Sequence, residues 1–206
     1  NPGCEPDDLS GICVLHPFLT LFKEKIYKAH FTFGYETDTL DRGGKVVLTG
    51  GKCVNESDIS KVLNSLVGEV YQIPPKFSAK NVNGMRGYDL ARQGIDFELK
   101  PKKVTINSIT LDGKINENTF SFTIVCRGGT YIRSICRDLA YKLNTFATMT
   151  MLERVKSGAF TKENSHPIEE ILNCNDISKF IIPPKDVIDF TEITLTDKQT
   201  DDVLNG

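Results

Sequence analysis

The sequence predicts an α+β domain with a mixed, largely antiparallel sheet flanked by helices. Three observations carry that expectation. Apolar and polar residues alternate over residues 26 to 34 and again over 119 to 126, the period of half-buried strands. Two strand-like runs, Val104 to Leu111 and Thr119 to Cys126, stand either side of an Asp112-Gly113 turn signal, as in a hairpin. The stretch from Cys126 to Leu139 carries a strand through Gly128-Gly129 into residues whose apolar members recur at helical spacing.

Taken in order, residues 1 to 17 are turn-rich and run into a short apolar segment, Ile12-Cys13-Val14-Leu15, which reads as a buried strand. Tyr27, Ala29, Phe31 and Phe33 then alternate with Lys28, His30 and Thr32, and Gly34 ends the run. Glu36 to Gly44 reads as a polar loop in which Asp38 and Asp41 are turn residues. Ile59, Val62, Leu63 and Leu66 give a helix capped between Asn55 and Ser57 and closed at Gly68. Gln72 to Lys80 cannot be regular helix, because Pro74 and Pro75 remove amide donors and fix the backbone. Tyr88, Leu90 and Ala91 begin a short helix that Gly94 closes.

The hairpin comes next, then a helix on which Ile132, Ile135, Cys136, Leu139, Ala140 and Leu143 share one face. Met149 to Phe160 is a further strand and turn. The expected organisation is one main domain over residues 1–182, with a linker and the start of a further unit over 183–206, opening on Pro183-Pro184.

Composition narrows the class of function. A chain of 206 residues, 39% hydrophobic and 25% charged, has an ordinary globular makeup and enough apolar residues for a sizeable core. A net charge of −2 supplies no global attraction for nucleic acid, so any RNA site has to be a local patch. Candidates are Lys76, Lys80, Arg86 and Arg92, then Lys100, Lys102 and Lys103, then Arg127, Arg133 and Arg137. The six cysteines form no CxxC pair and no histidine stands at zinc spacing, which argues against a metal site. Several cysteines fall at apolar positions of strands or helices, as thiols do in a reducing compartment. No apolar run approaches the ~20 residues needed to span a bilayer. The opening Asn1-Pro2-Gly3 has neither a signal-peptide core nor an initiator Met, so the natural chain is expected to begin earlier.

The Gly-Gly junction is the most informative local feature. It places Arg133 and Arg137 one turn apart at a helix opening, where like charges repel by about a few tenths of a kcal/mol unless an anion lies between them. The free N–H groups of a helix N-terminus favour that anion. A solvated basic edge accounts for the two arginines equally well.

Four segments, in the same order over residues 25 to 160, resemble the TruB family of tRNA pseudouridine synthases. They are Lys25-Ile26-Tyr27-Lys28-Ala29 leading to Phe33-Gly34-Tyr35-Glu36-Thr37-Asp38-Thr39; Gln72-Ile73-Pro74-Pro75 with Phe77-Ser78-Ala79, Gly84, Tyr88, Ala91-Arg92 and Gly94; Gly129-Thr130-Tyr131-Ile132-Arg133 with Asp138-Leu139; and Leu152-Glu153-Arg154 with Gly158 and Phe160. Any one of them alone is a weak signal.

The resemblance implies the pseudouridine synthase fold and an isomerase that turns uridine into pseudouridine at position 55 in the T loop of tRNA, without metal or organic cofactor. It implies Tyr27 as the aromatic on which the target base stacks, Arg133 as charge partner of a catalytic aspartate, and Leu152 as a pocket wall. Those roles make chemical sense, since a buried carboxylate stays ionised beside a cation and an unstacked base needs a new stacking surface. Tyr131, Lys76, Lys80, Arg92 and Arg137 are the candidate RNA contacts. A family G-T-L-D-P-x-A-x-G loop would carry the nucleophile. Here the interval from Gly3 to Gly11 reads Cys4-Glu5-Pro6-Asp7-Asp8-Leu9-Ser10, so Asp7 is the first choice on a one-residue shift and Asp8 the second. A third reading has no catalytic aspartate in the chain, leaving a non-catalytic tRNA-binding or tRNA-folding protein of the same fold. The expected setting is a monomer in the cytoplasm or an organellar matrix, with tRNA as partner and no membrane.

Overall fold

The computed structural model describes residues 24–82 and 84–183, with positions 187, 196, 198–200 and 202 beyond them. The larger of two compact units runs over Phe22–Asn164 and holds every strand among the described residues. The described part of the other starts at Ser165 and contains a short helix α4, Ile168–Leu172, and a 3-10 turn, Ile177–Phe180, with His166 edge-on to Phe180. The expected strand at 12 to 15, and Asp7 and Asp8, lie outside the described residues.

Within the larger unit the strands are β1 (Glu24–Phe33), β2 (Tyr35–Thr37), β3 (Val46–Thr49), β4 (Gly68–Gln72), β5 (Asn81–Val82), β6 (Met85–Arg86), β7 (Lys102–Asn116), β8 (Thr119–Arg127), β9 (Ala147–Ser157) and β10 (Phe160–Thr161). The helices are α1 (Glu56–Leu63), α2 (Gly87–Arg92) and α3 (Ile132–Lys142). Six strands form one antiparallel sheet in the order β10-β9-β1-β8-β7-β4. This is the mixed, largely antiparallel architecture flanked by helices that the patterning predicts.

Strand β1 is central because its alternation makes one face wholly apolar. Tyr27, Ala29 and Phe31 stand opposite Ile124, Phe122 and Phe120 of β8, so the two strands present a continuous apolar face. On it Phe31 stacks on Phe122 with ring centroids 4.7 Å apart, and Phe33 meets Phe120 edge-on at 5.8 Å. Helix α3 contributes its buried stripe, Ile132, Ile135, Cys136, Leu139 and Ala140, to the same core. Helix α1 adds Ile59 and Leu63, and starts where Asn55 accepts the Asp58 N–H. The thiols of Cys126 and Cys136 are buried among these residues, and burial pushes the pKa of both upward.

Two local readings change. The β7–β8 hairpin does not turn at Asp112-Gly113, since β7 continues to Asn116 and β8 begins at Thr119. The Asp-Gly pair instead makes a bulge. The pairing slips between Leu111 and Gly113, Gly113 takes φ +147, and Asp112 accepts the Ser121 and Thr123 hydroxyls across the strands. The polar loop after Gly34 contains a second, two-stranded sheet, because β2 pairs with β3 around the turn. Val46, Val47 and Leu48 of β3 are all exposed.

Candidate active site

The turn between β2 and β3 is built from its own polar side chains. Thr37 and Thr39 hydroxyls donate to Asp41, one to its carbonyl at 2.7 Å and one to Oδ1 at 2.8 Å. The Gly43 N–H also reaches Oδ1, at 3.0 Å, and Asp38 Oδ1 accepts the Lys45 N–H. Leu40 sits in the left-handed region at φ +62 with its side chain buried, an arrangement that costs a β-carbon-bearing residue about 1–3 kcal/mol. The surrounding bonds hold it there. Asp41 pairs with Met149 of β9, whose N–H donates to Leu40 and whose carbonyl accepts from Arg42. The turn is thereby fastened to the central sheet.

Arg133, in the first turn of α3, reaches this turn. Its Nη1 donates to the Thr39 carbonyl at 2.8 Å and to Asp41 Oδ2 at 3.1 Å, and its Nη2 donates to the Phe77 carbonyl at 2.9 Å. The guanidinium side chain keeps 21% of its exposure. Among the described residues its Nε–H takes no acceptor, so the fork retains a donor edge for a further anion. Asp41 has both oxygens engaged, which suits it to hold an arginine rather than to attack a sugar carbon. Among the described residues the carboxylate brought to Arg133 is Asp41, which the spacing marks only as a turn residue; Asp7 lies outside the described residues.

Tyr27 and Leu152 share one face of the sheet. Ala29 stands opposite Leu152 and Tyr27 opposite Arg154, so both candidates flank the β1–β9 pairing on its apolar side. Tyr27 is half-buried against the core; burial raises its pKa and the neighbouring Arg154 opposes the rise. Leu152 is 44% exposed, an open apolar surface beside a closed core. Met149, the β9 residue to which Asp41 is bridged, precedes Leu152 on the same strand, which links the arginine turn to the strand bearing that open leucine.

The candidate RNA contacts separate into two groups. Lys76, Lys80 and Arg92 lie along residues 72–100. Lys76 pairs with Asp96 at 2.7 Å, Lys80 donates to the Lys100 carbonyl at 3.4 Å, and Arg92 lies over the Tyr88 ring. Arg137 is turned inward, 15% exposed, donating to the Ile73 carbonyl at 3.0 Å and to Asp138 Oδ1 through Nε and Nη2. Burial raises the pKa of Asp138, and Arg137 opposes that rise. The Tyr131 backbone is clamped by Gln72 through both its N–H and its carbonyl.

An open cleft of about 870 Å³ runs beside this region, walled by Glu36, Val47, Ile73, Lys76, Ile95 and Tyr141 among others. Tyr27, Arg133 and Leu152 are not in its walls, so this cleft and the candidate chemistry do not coincide. Among the described residues no cluster of His, Cys, Asp or Glu could hold a metal ion, and no helix is long and apolar enough to cross a membrane.

Two family models match, one described as TruB family pseudouridylate synthase (N terminal domain) over residues 14–132, the other as tRNA pseudouridylate synthase B C-terminal domain over 133–181. Relatives called tRNA pseudouridine synthase B include that of Clostridium kluyveri, 41% identical over 89% of this chain and 63% of its own length, and that of Borreliella afzelii, 40% identical over 92% and 65%. One from Borreliella burgdorferi is 44% identical over 78% of this chain and 57% of its own. The chain therefore spans a little under two thirds of the length of these relatives. Among solved structures, a crystal structure of a Cbf5-Nop10-Gar1 complex matches with TM-score 0.52 and 20% identity, covering 74% of this chain and 36% of that one, which shows a common fold. The two family matches, adjoining along the sequence, establish that the chain belongs to the TruB family of pseudouridylate synthases.

Proposed function

We propose that the protein isomerises uridine to pseudouridine in tRNA, at position 55 of the T loop, as a monomer without metal or organic cofactor. The observation that carries this reading is the Arg133 guanidinium, held by Asp41 and two carbonyls and keeping a donor edge free among the described residues, on a helix covering the sheet face that bears Tyr27 and Leu152.

In the proposed reaction a carboxylate, assigned to Asp7, attacks while Arg133 keeps it ionised. The carboxylate oxygen bonds to C1′ as the C1′–N1 bond of the uridine breaks, the freed base turns, and C5 bonds to C1′ as the carboxylate–C1′ bond breaks and frees the aspartate. The C5 hydrogen leaves to solvent and N1 takes up a proton, so the reaction is an isomerisation that needs no oxidant. Tyr27 offers its ring to the base once it has left its stack, and Leu152 closes the apolar side of the pocket. Lys76, Lys80 and Arg92 present cations for the phosphate backbone, Lys76 and Arg92 exposed and Lys80 partly so, and Tyr131 and Arg137 stand at the helix entry. Buried, unpaired thiols at Cys126 and Cys136 support a reducing setting, the cytoplasm or an organellar matrix.

The test is tritium release from unmodified tRNA carrying 5-tritiated uridine. Release by the wild type that Asp7→Asn abolishes supports the assignment; release that survives moves the nucleophile to Asp8 or elsewhere. A wild-type protein that binds the tRNA and releases no tritium has the second function, a non-catalytic tRNA binder.

A further inference from the structure

Gln72, the last residue of β4, is 2% exposed. Both ends of its carboxamide are spent on one residue. Its Oε1 accepts the Tyr131 N–H at 2.8 Å and its Nε2 donates to the Tyr131 carbonyl at 3.1 Å. The pairing of a donor with an acceptor at each end fixes which way the amide faces.

Tyr131 is the residue from which α3 starts. Its carbonyl accepts the N–H groups of Ser134 and Ile135 at 3.1 and 3.2 Å, and no side chain within the helix caps it. The preceding Gly128 and Gly129, the latter at φ +84, impose little direction of their own. The neighbouring residue repeats the pattern. The Ile73 carbonyl accepts from the buried Ser134 hydroxyl at 2.9 Å and from Arg137 Nη2 at 3.0 Å, and Pro74 and Pro75 behind it bring no competing N–H. Gln72 and Ile73 thus hold α3 from outside the helix, through the Tyr131 backbone and the Ser134 and Arg137 side chains. Arg133 lies in that first turn and off the buried stripe, so core packing of Ile135, Cys136 and Leu139 holds the body of the helix while the Gln72 clamp holds its opening.

We propose that Gln72 is a positioning residue, which clamps Tyr131 by both backbone groups and thereby sets the direction in which Arg133 leaves α3 toward Asp41. Its bearing on turnover rests on the reading of Arg133 as part of a uridine-isomerising site; its bearing on geometry does not.

Two measurements on the full chain separate these. The first follows the Arg133 Nε–Hε resonance in ¹⁵N spectra, assigned through Arg133→Lys. The second compares kcat and KM for tritium release. Gln72→Leu, which removes both bonds, is expected to broaden or shift the Arg133 resonance and to lower kcat at least tenfold with KM within about twofold. Gln72→Asn, too short to close on Tyr131, gives the same pattern should the leucine variant not fold. Gln72→Glu keeps the acceptor for the Tyr131 N–H and restores part of the turnover. Unchanged Arg133 resonance and unchanged kcat in folded Leu or Asn variants would overturn the proposal and leave Gln72 a packing residue. A wild type that releases no tritium, with the Arg133 resonance still perturbed in the variants, would sink the functional reading while sustaining the positioning role.

Discussion

Arg133 Nη1 lies 3.1 Å from Asp41 Oδ2, and the other Asp41 oxygen is held by the Thr39 hydroxyl and the Gly43 amide. The arginine is therefore gripped by a carboxylate that is itself immobilised. Asp41→Asn removes the charge and keeps the shape. A charge-assisted hydrogen bond of this kind contributes about 1.5–3 kcal/mol. If that loss falls on the transition state, tritium release slows by about 10- to 100-fold. Arg133→Lys should fare little better than Arg133→Ala, because a point charge cannot reach the Thr39, Asp41 and Phe77 oxygens together. Steady-state rates for the three variants, beside circular dichroism of each, decide this. Wild-type turnover in Asp41→Asn would show that the ion pair is only structural.

The core should answer to truncation in the ordinary way. Phe122 is fully buried and stacked on Phe31, so Phe122→Ala is expected to lower unfolding free energy by about 3–5 kcal/mol. Urea melts measure it. A loss under about 1 kcal/mol would mean that Phe122 is not buried against Phe31 on the core face of the sheet.

Asn144 follows α3 in the left-handed region at φ +56, its N–H donating to the Tyr141 carbonyl. Glycine there should be neutral or slightly stabilising, whereas Asn144→Val should cost about 1–2 kcal/mol, since a β-branched side chain clashes in this conformation. Thermal melts of the pair test the helix end without touching the candidate site.

Glu36 gives a pH dependence of defined sign. Its carboxyl is buried, one oxygen accepts the Tyr141 hydroxyl at 3.0 Å and the other has no partner among the described residues, and burial raises its pKa above the ordinary value. A carboxyl whose folded pKa is raised binds its proton more tightly when folded. Below the ordinary carboxylate value both states are protonated and nothing is lost. As pH rises from that value through the raised one, ionisation burdens only the folded state, and stability falls. Glu36→Gln should therefore be more stable relative to wild type at about pH 7 than at about pH 4. Denaturant melts at the two pH values check it; a difference of the opposite sign would mean that the Tyr141 hydroxyl and Arg137 together outweigh burial.

Much of the fold could be read from pattern because burial is one-sided along β1, β8 and α3. Tyr27 to Phe33, Phe120 to Ile124 and Ile132 to Ala140 advertise their buried faces by period alone. Strand β3 could not, because Val46, Val47 and Leu48 are all exposed and no alternation marks them. Asp112-Gly113 misleads for a physical reason, as a residue that tolerates positive φ serves a bulge as well as a turn. The site divides the same way. Arg133 stands out by its place after a Gly-Gly break, whereas Asp41 carries only a local turn signal, and its bond to a residue far along the chain leaves no trace in spacing. Gln72 is hidden likewise, its partner Tyr131 lying across the fold.

The most direct test labels a tRNA with tritium at C5 of uridine 55 alone and follows release under single-turnover conditions, with tRNA binding measured in parallel. The account predicts that the wild type releases the label from every bound tRNA, while Arg133→Ala binds within a few-fold of wild type and releases it at least about 100-fold more slowly. Wild-type protein that binds this tRNA and retains the tritium, or Arg133→Ala that releases it at the wild-type rate, would contradict the assignment of Arg133 to uridine isomerisation.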